Sequence, residues 1–265
     1  MTDANPATLI LGWSTWAAPT SVTSQVLQRN ADLGVAKNGG GAQAIGVGQN
    51  RLFLETYVPS SVAIFDLEAR SIVARAASSI PVEQPHTVPD GAFVLDANPP
   101  FAVGLLHNDG TYARVVEPTA PHLVTWVTID RSNANALVWM ESDDQGTYVN
   151  PILWTAPYAT TAGAVQRTKV AVLTESVHRG GRSMIANRSV CLNIVTNSAA
   201  LLTRLSDGAG WTITAEPGRR FVDPVWVDDD EIWILTEPDA LDARPNGMMR
   251  FSRATLGLPT VNRGF

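Results

Sequence analysis

The chain has 265 residues, a net charge of −6 at neutral pH, and only 17% charged residues against 45% hydrophobic ones. That balance excludes intrinsic disorder, which requires high charge and few apolar side chains. The acidic excess argues against nucleic acid, whose binders carry a basic surplus. No apolar run approaches the roughly 18 residues that a membrane-spanning helix needs, so no membrane partner is expected.

The length suits one large domain spanning 1–265. The opening MTDANPATLILGW lacks the basic start, long apolar stretch and small-residue cleavage site of a secretory signal. A cytoplasmic location, or a place within a larger particle, is therefore expected. Cys191 is the single cysteine and lies in the apolar run SVCLNIV, so it reads as a buried, inert thiol with no disulfide.

Short apolar runs separated by turn residues dominate the chain. In order they are Thr8–Trp13, Arg51–Tyr57, Phe101–His107, Ala136–Glu141, Ser189–Val195 and Glu231–Thr236. Their starts average about 45 residues apart, the period of a four-stranded propeller blade. Five are preceded by another strand-like segment: Ala42–Gly48, Ala92–Asp96, Leu123–Ile129, Arg182–Asn187 and Val222–Val227. Most are followed by a hairpin partner, as at Val62–Leu67, Pro151–Ala156, Ala200–Leu205 and Met248–Ser252. Ser24–Lys37 and Asp66–Ala77 are the best helical candidates, yet both contain β-branched residues and neither has a clean apolar stripe.

The runs are nearly continuous in apolar residues, which means burial on both faces rather than one. A radial blade provides that, because its neighbours cover it on either side. A parallel α/β sheet would also do so, but it needs long crossover helices that the pattern lacks. The expectation is all-β: six blades of four antiparallel strands, with Thr8–Trp13 as a middle strand. The tail Leu258–Phe265 would close the ring by pairing with the N-terminal segment. Five blades is the alternative.

Two stretches carry a family likeness. Ser61–Ala76, SVAIFDLEARSIVARA, resembles the strand–turn–strand unit of YVTN-type and quinoprotein-like propeller repeats, in which an aspartate ends one strand before a polar turn. Asp223–Leu235, DPVWVDDDEIWIL, resembles the aromatic, acidic turn and strand signature of TolB-like and WD40-like blades. The resemblance implies a β-propeller, with the loops into each first strand and those leaving each second strand sharing one face.

On that arrangement His86, His122 and His178 fall in the first kind of loop and His107 in the second, so all four would ring the channel mouth. Arg179, Arg182, Arg219 and Arg220 lie nearby and are suited to bidentate contact with an anionic ligand. These eight residues form the expected binding face. Asp143–Asp144 and Asp228–Glu231 read as solvated hairpin turns, and Gly39–Gly41 as a connection between blades. No GxSxG, P-loop, HExxH or Rossmann glycine pattern is present. No catalytic residue, metal site or cofactor is assigned.

The reading that follows is a non-catalytic binding or scaffold propeller holding a protein partner, such as a structural subunit of a phage tail. A metal-dependent hydrolase or lyase is one alternative and requires the four histidines to converge. A carbohydrate binder is the other and requires tryptophans exposed for sugar stacking.

Overall fold

The computed structural model describes residues 8–15, 17–28, 31–33, 42–48, 50–56, 61–76, 81–130, 132, 136–143, 151–157, 166–173, 184–227, 231–238 and 246–252. Among them are 21 β-strands and no helix. Neither helical candidate is helical where it is described: Ala18–Gln28 (β2) takes the start of one, and Ser71–Arg75 (β6) lies in the other. Their β-branched residues are at home on a pleated surface.

The chain forms two compact units, Met1–Val115 and Val116–Phe265. In the first, Thr8–Thr15 (β1) pairs antiparallel with β2. A four-stranded meander follows: Ala42–Gly48 (β3), Arg51–Thr56 (β4), Ser61–Asp66 (β5) and β6. A second meander runs through Val82–Val88 (β7), Gly91–Asp96 (β8), Ala102–His107 (β9) and Tyr112–Val116 (β10).

The second unit repeats the plan. Leu123–Asp130 (β11), Ala136–Ser142 (β12), Ile152–Ala156 (β13) and Thr168–Val172 (β14) form one meander. Met184–Asn187 (β15), Val190–Thr196 (β16), Ala199–Arg204 (β17) and Gly210–Thr214 (β18) form the next. A parallel contact between Asp130 and Ala186 joins their first strands. Arg219–Val227 (β19), Glu231–Pro238 (β20) and Gly247–Ser252 (β21) form a three-stranded sheet.

Within each unit the cores lie between successive sheets. Leu11, Leu27 and Leu33 pack on Leu52, Leu54 and Phe65. Phe53, Val62 and Ile64, on the other side of that sheet, meet Val82, Ala92 and Val94. In the second unit Val138, Met140 and Leu153 meet Met184, Ala186 and Cys191, while Leu192, Ile194 and Leu202 meet Phe221, Ile232 and Ile234. A sheet covered on both faces explains the continuous apolar runs. Every residue of β8 and of β12 is buried.

One correction follows from the order of strands. Phe101–His107 falls on β9, the third strand of its sheet, and the second strand is Gly91–Asp96. Two adjacent strands are both continuously apolar here, and nothing in apolar content separates them.

Hydrogen bonds between side chain and backbone pin neighbouring sheets. Arg51 donates to the Asn108 carbonyl at 2.7 Å, and the Gln84 amide donates to Glu55 at 2.8 Å. Asn187 donates to the Val227 carbonyl at 2.9 Å. Buried Asp130 accepts from the Ser189 amide at 2.7 Å, capping a tight turn in which Arg188 and Ser189 both have positive φ. Turns between third and fourth strands use aspartate in a repeated way. Asp66 accepts from the Glu68 and Ala69 amides, Asp109 from that of Thr111, and Asp207 from that of Ala209.

Candidate functional site

A group of ionisable side chains gathers on the β11–β14 sheet. Glu141 sits near the end of β12 with no exposed surface. Strand alternation sends Val138 and Met140 toward the core shared with β15–β18, and sends Trp139 and Glu141 to the opposite face. Burial of a carboxylate is costly unless donors surround it. Here Trp139 Nε1 donates to Oε1 at 2.9 Å and Arg167 Nη1 to the same oxygen at 3.2 Å. The Thr119 amide approaches Oε2 at 3.5 Å.

Arg167 precedes β14 and reaches back along the sheet. Its guanidinium stands 4.8 Å over the Trp154 ring, which stacks on Trp139 at 6.2 Å and 12°. Its other nitrogen donates to Thr119 Oγ1 at 2.5 Å. His122, immediately before β11, places Nε2 2.5 Å from Asp143 Oδ1 and Nδ1 4.0 Å from Glu141 Oε2. The cluster thus ties the approach to β11, the end of β12 and the approach to β14 together.

A related arrangement recurs at β20. Trp233 Nε1 donates to Glu231 at 2.8 Å, Arg250 pairs with Glu231, and the same guanidinium lies 5.9 Å from the Trp233 ring. Arg204, paired with Asp207, stands 5.6 Å from the Trp211 ring. Three half-buried tryptophans, Trp154, Trp211 and Trp233, therefore each carry an arginine over one face.

The first unit has its own buried carboxylate at the end of a second strand. Asp96 accepts from Tyr112 Oη at 2.5 Å, from Arg114 Nε at 2.7 Å and from the Asn98 amide at 2.9 Å. Burial pushes its carboxyl upward, but the Arg114, Tyr112 and Asn98 hydrogen bonds prevail and hold it below the ordinary carboxylate value. Burial, with the Asp96 bond, pushes the Tyr112 phenol far up. Burial, with Asp130 nearby, likewise pushes the Cys191 thiol well up, so it stays protonated at neutral pH.

The described residues of the expected binding face, His86, His107, His122, Arg219 and Arg220, lie on or beside β7, β9, β11 and β19. His122 lies in the loop expected for it, held by acids. His86 is half-buried within β7, opposite Phe93, rather than in the preceding loop. His107 ends β9 opposite Gly91, beside the turn into β10. That end of the sheet is the one opposite the loops into first strands, so the single face drawn for all four histidines fails at His107. Arg219 and Arg220 open β19. Arg219 Nε donates to Thr236 Oγ1 at 2.9 Å, and Arg220 pairs with Glu237 at 2.6 Å. His178, Arg179 and Arg182 lie outside the described residues, as do Gly39–Gly41, Asp144 and Asp228–Asp230. Among the described residues no group of three or more His, Cys, Asp or Glu side chains is arranged to hold a metal ion.

Glu141, Arg167, Trp139 and Thr119 were not singled out from the sequence. A usable signal was present: a carboxylate closes or nearly closes three successive second strands, in RLFLET, GAFVLD and ALVWMES.

No protein-family model matches the chain, and no curated protein matches it. Solved structures do. The chain is similar to one in the crystal structure of a nidogen–laminin complex, with a TM-score of 0.52 and 10% identity over 85% of this chain and 83% of that one. It is also similar to the AfRom2 CNH domain, with a TM-score of 0.53 and 10% identity over 93% and 74%. At this identity the likeness speaks to the fold alone, and the fold is propeller-like.

Proposed function

We propose that the chain is a non-catalytic binding or scaffold propeller that holds a protein partner, in the manner of a structural subunit of a larger assembly such as a phage tail. The observation that carries this reading is the engagement of three buried carboxylates by donors of the chain itself. Acid–base or nucleophilic chemistry needs a group that is tuned by burial yet free to meet substrate. Glu141 is engaged by Trp139 and Arg167, Asp96 by Tyr112 and Arg114, and Asp130 by Ser189 and Ser132. Low charge content also suits extensive subunit contact, since interface cores are depleted in charged residues. Arginines over Trp154, Trp211 and Trp233 favour this reading over sugar stacking on those rings.

The accompanying proposal for the fold is a single domain of six blades, closed as a ring. Support comes from the succession of sheets and from β1, which among the described residues pairs only with β2. The tail Leu258–Phe265 is the segment proposed for its other edge. Native mass measurement combined with metal analysis tests the functional reading. The expected result is an assembly, or a complex with a stoichiometric partner protein, lacking stoichiometric metal. A monomer with one divalent metal per chain would contradict it and point to a hydrolase or lyase.

A further inference from the structure

The run VCLNIVT places one amide, Asn193, in the middle of an otherwise apolar strand. Asn193 is 3% exposed, and its Oδ1 has no hydrogen-bond partner among the described residues. Its Nδ2 meets the Met140 sulfur at 4.0 Å. Across the space between the two sheets stands Trp126, 7% exposed, whose Nε1 donor is likewise unpartnered among the described residues. Trp126 is the cross-strand partner of Met140, and Asn193 is that of Met184. Trp126, Met140 and Met184 belong to one core. An orphaned acceptor and an orphaned donor thus flank the same pair of methionines.

Leaving either group dry costs the desolvation of a buried polar atom. We propose that an internal water occupies this point, accepting from Trp126 Nε1–H and donating to Asn193 Oδ1. The class of guest follows from the two orphaned groups. An unpartnered N–H donor and an unpartnered carbonyl acceptor ask for a small molecule that both accepts and donates. The site gives Asn193 a reason to interrupt the apolar run: it fixes a hydrated point between two sheets, flanked by the middle of β11 and the middle of β16.

Water-selective NMR on the full-length protein tests this. The Trp126 indole proton is expected to show a cross-peak to a long-lived water, and Asn193→Leu is expected to abolish that peak while backbone amide resonances away from the substitution keep their native positions. A peak absent from the unaltered protein, or one that persists in Asn193→Leu, overturns the proposal. Should Asn193→Leu fail to fold, a high-resolution crystal structure of the unaltered protein decides. Ordered water within hydrogen-bonding distance of both atoms supports the site. A direct Trp126–Asn193 bond, a protein group at that point, or empty space overturns it.

Discussion

Tyr112 reaches Asp96 across the bare backbone of Gly104. The phenol donates to the carboxylate at 2.5 Å, and a Cβ on Gly104 would lie 2.2 Å from the tyrosine ring. The glycine on β9 is the gap through which a side chain on β10 caps a buried charge on β8. Gly104→Ala is therefore expected to displace Tyr112. Tyr112→Phe alone is expected to cost about 1.5–3 kcal/mol, the usual range for a hydrogen bond to a charged group. In the Gly104→Ala background the same change should cost much less. Chemical denaturation of the four proteins in a double-mutant cycle measures the coupling.

The Asp96 carboxyl also sets an acid limit. Its folded-state value is depressed below that of the unfolded chain, so its contribution is fully present above about pH 4, the unfolded carboxylate value, and is lost as pH falls through the folded value. Stability of the unaltered protein should drop on acidification in that range. Asp96→Asn should be less stable at neutral pH and should lose less on acidification. Denaturation midpoints between pH 7 and pH 2.5 provide the check, and parallel curves for the two proteins would refute the assignment.

Glu141 gives a prediction of opposite character, because its burial is complete. Arg167→Met strands a carboxylate inside the sheet and should cost about 3 kcal/mol, the low end for a broken buried pair since Arg167 is itself partly exposed. Adding Glu141→Leu should recover part of that loss: it removes the stranded charge but leaves the buried Trp139 indole N–H without its acceptor. A double variant no more stable than Arg167→Met would show that the pair does not act as a unit.

Cys191 should resist thiol reagents in the folded protein at neutral pH and react at once on unfolding. It is 1% exposed, and burial together with Asp130 disfavours its thiolate. Stoichiometric labelling under native conditions would place it elsewhere than in the core.

The propeller-like plan was readable because burial on both faces writes itself as unbroken apolar runs. Arg51–Tyr57, Ala136–Glu141, Ser189–Val195 and Glu231–Thr236 fall on β4, β12, β16 and β20. Asp66, which ends β5, makes the turn that the repeat likeness implied. The assignment slipped by one strand at Phe101–His107, where β8 and β9 are equally apolar, and the end of the sheet carrying His107 slipped with it. The Glu141 cluster was harder to see. Arg167 lies 26 residues from Glu141, and His122 meets Asp143 only through the pairing of β11 with β12. Such contacts are products of register, which composition does not encode.

Hydrogen exchange along β1 tests the closed six-bladed ring most directly. β2 satisfies only alternate amides of Thr8–Thr15. With the ring closed on the tail, the remaining alternate amides should be protected in the full chain and should lose that protection when residues 258–265 are deleted. Free exchange at those positions in the intact protein would contradict closure.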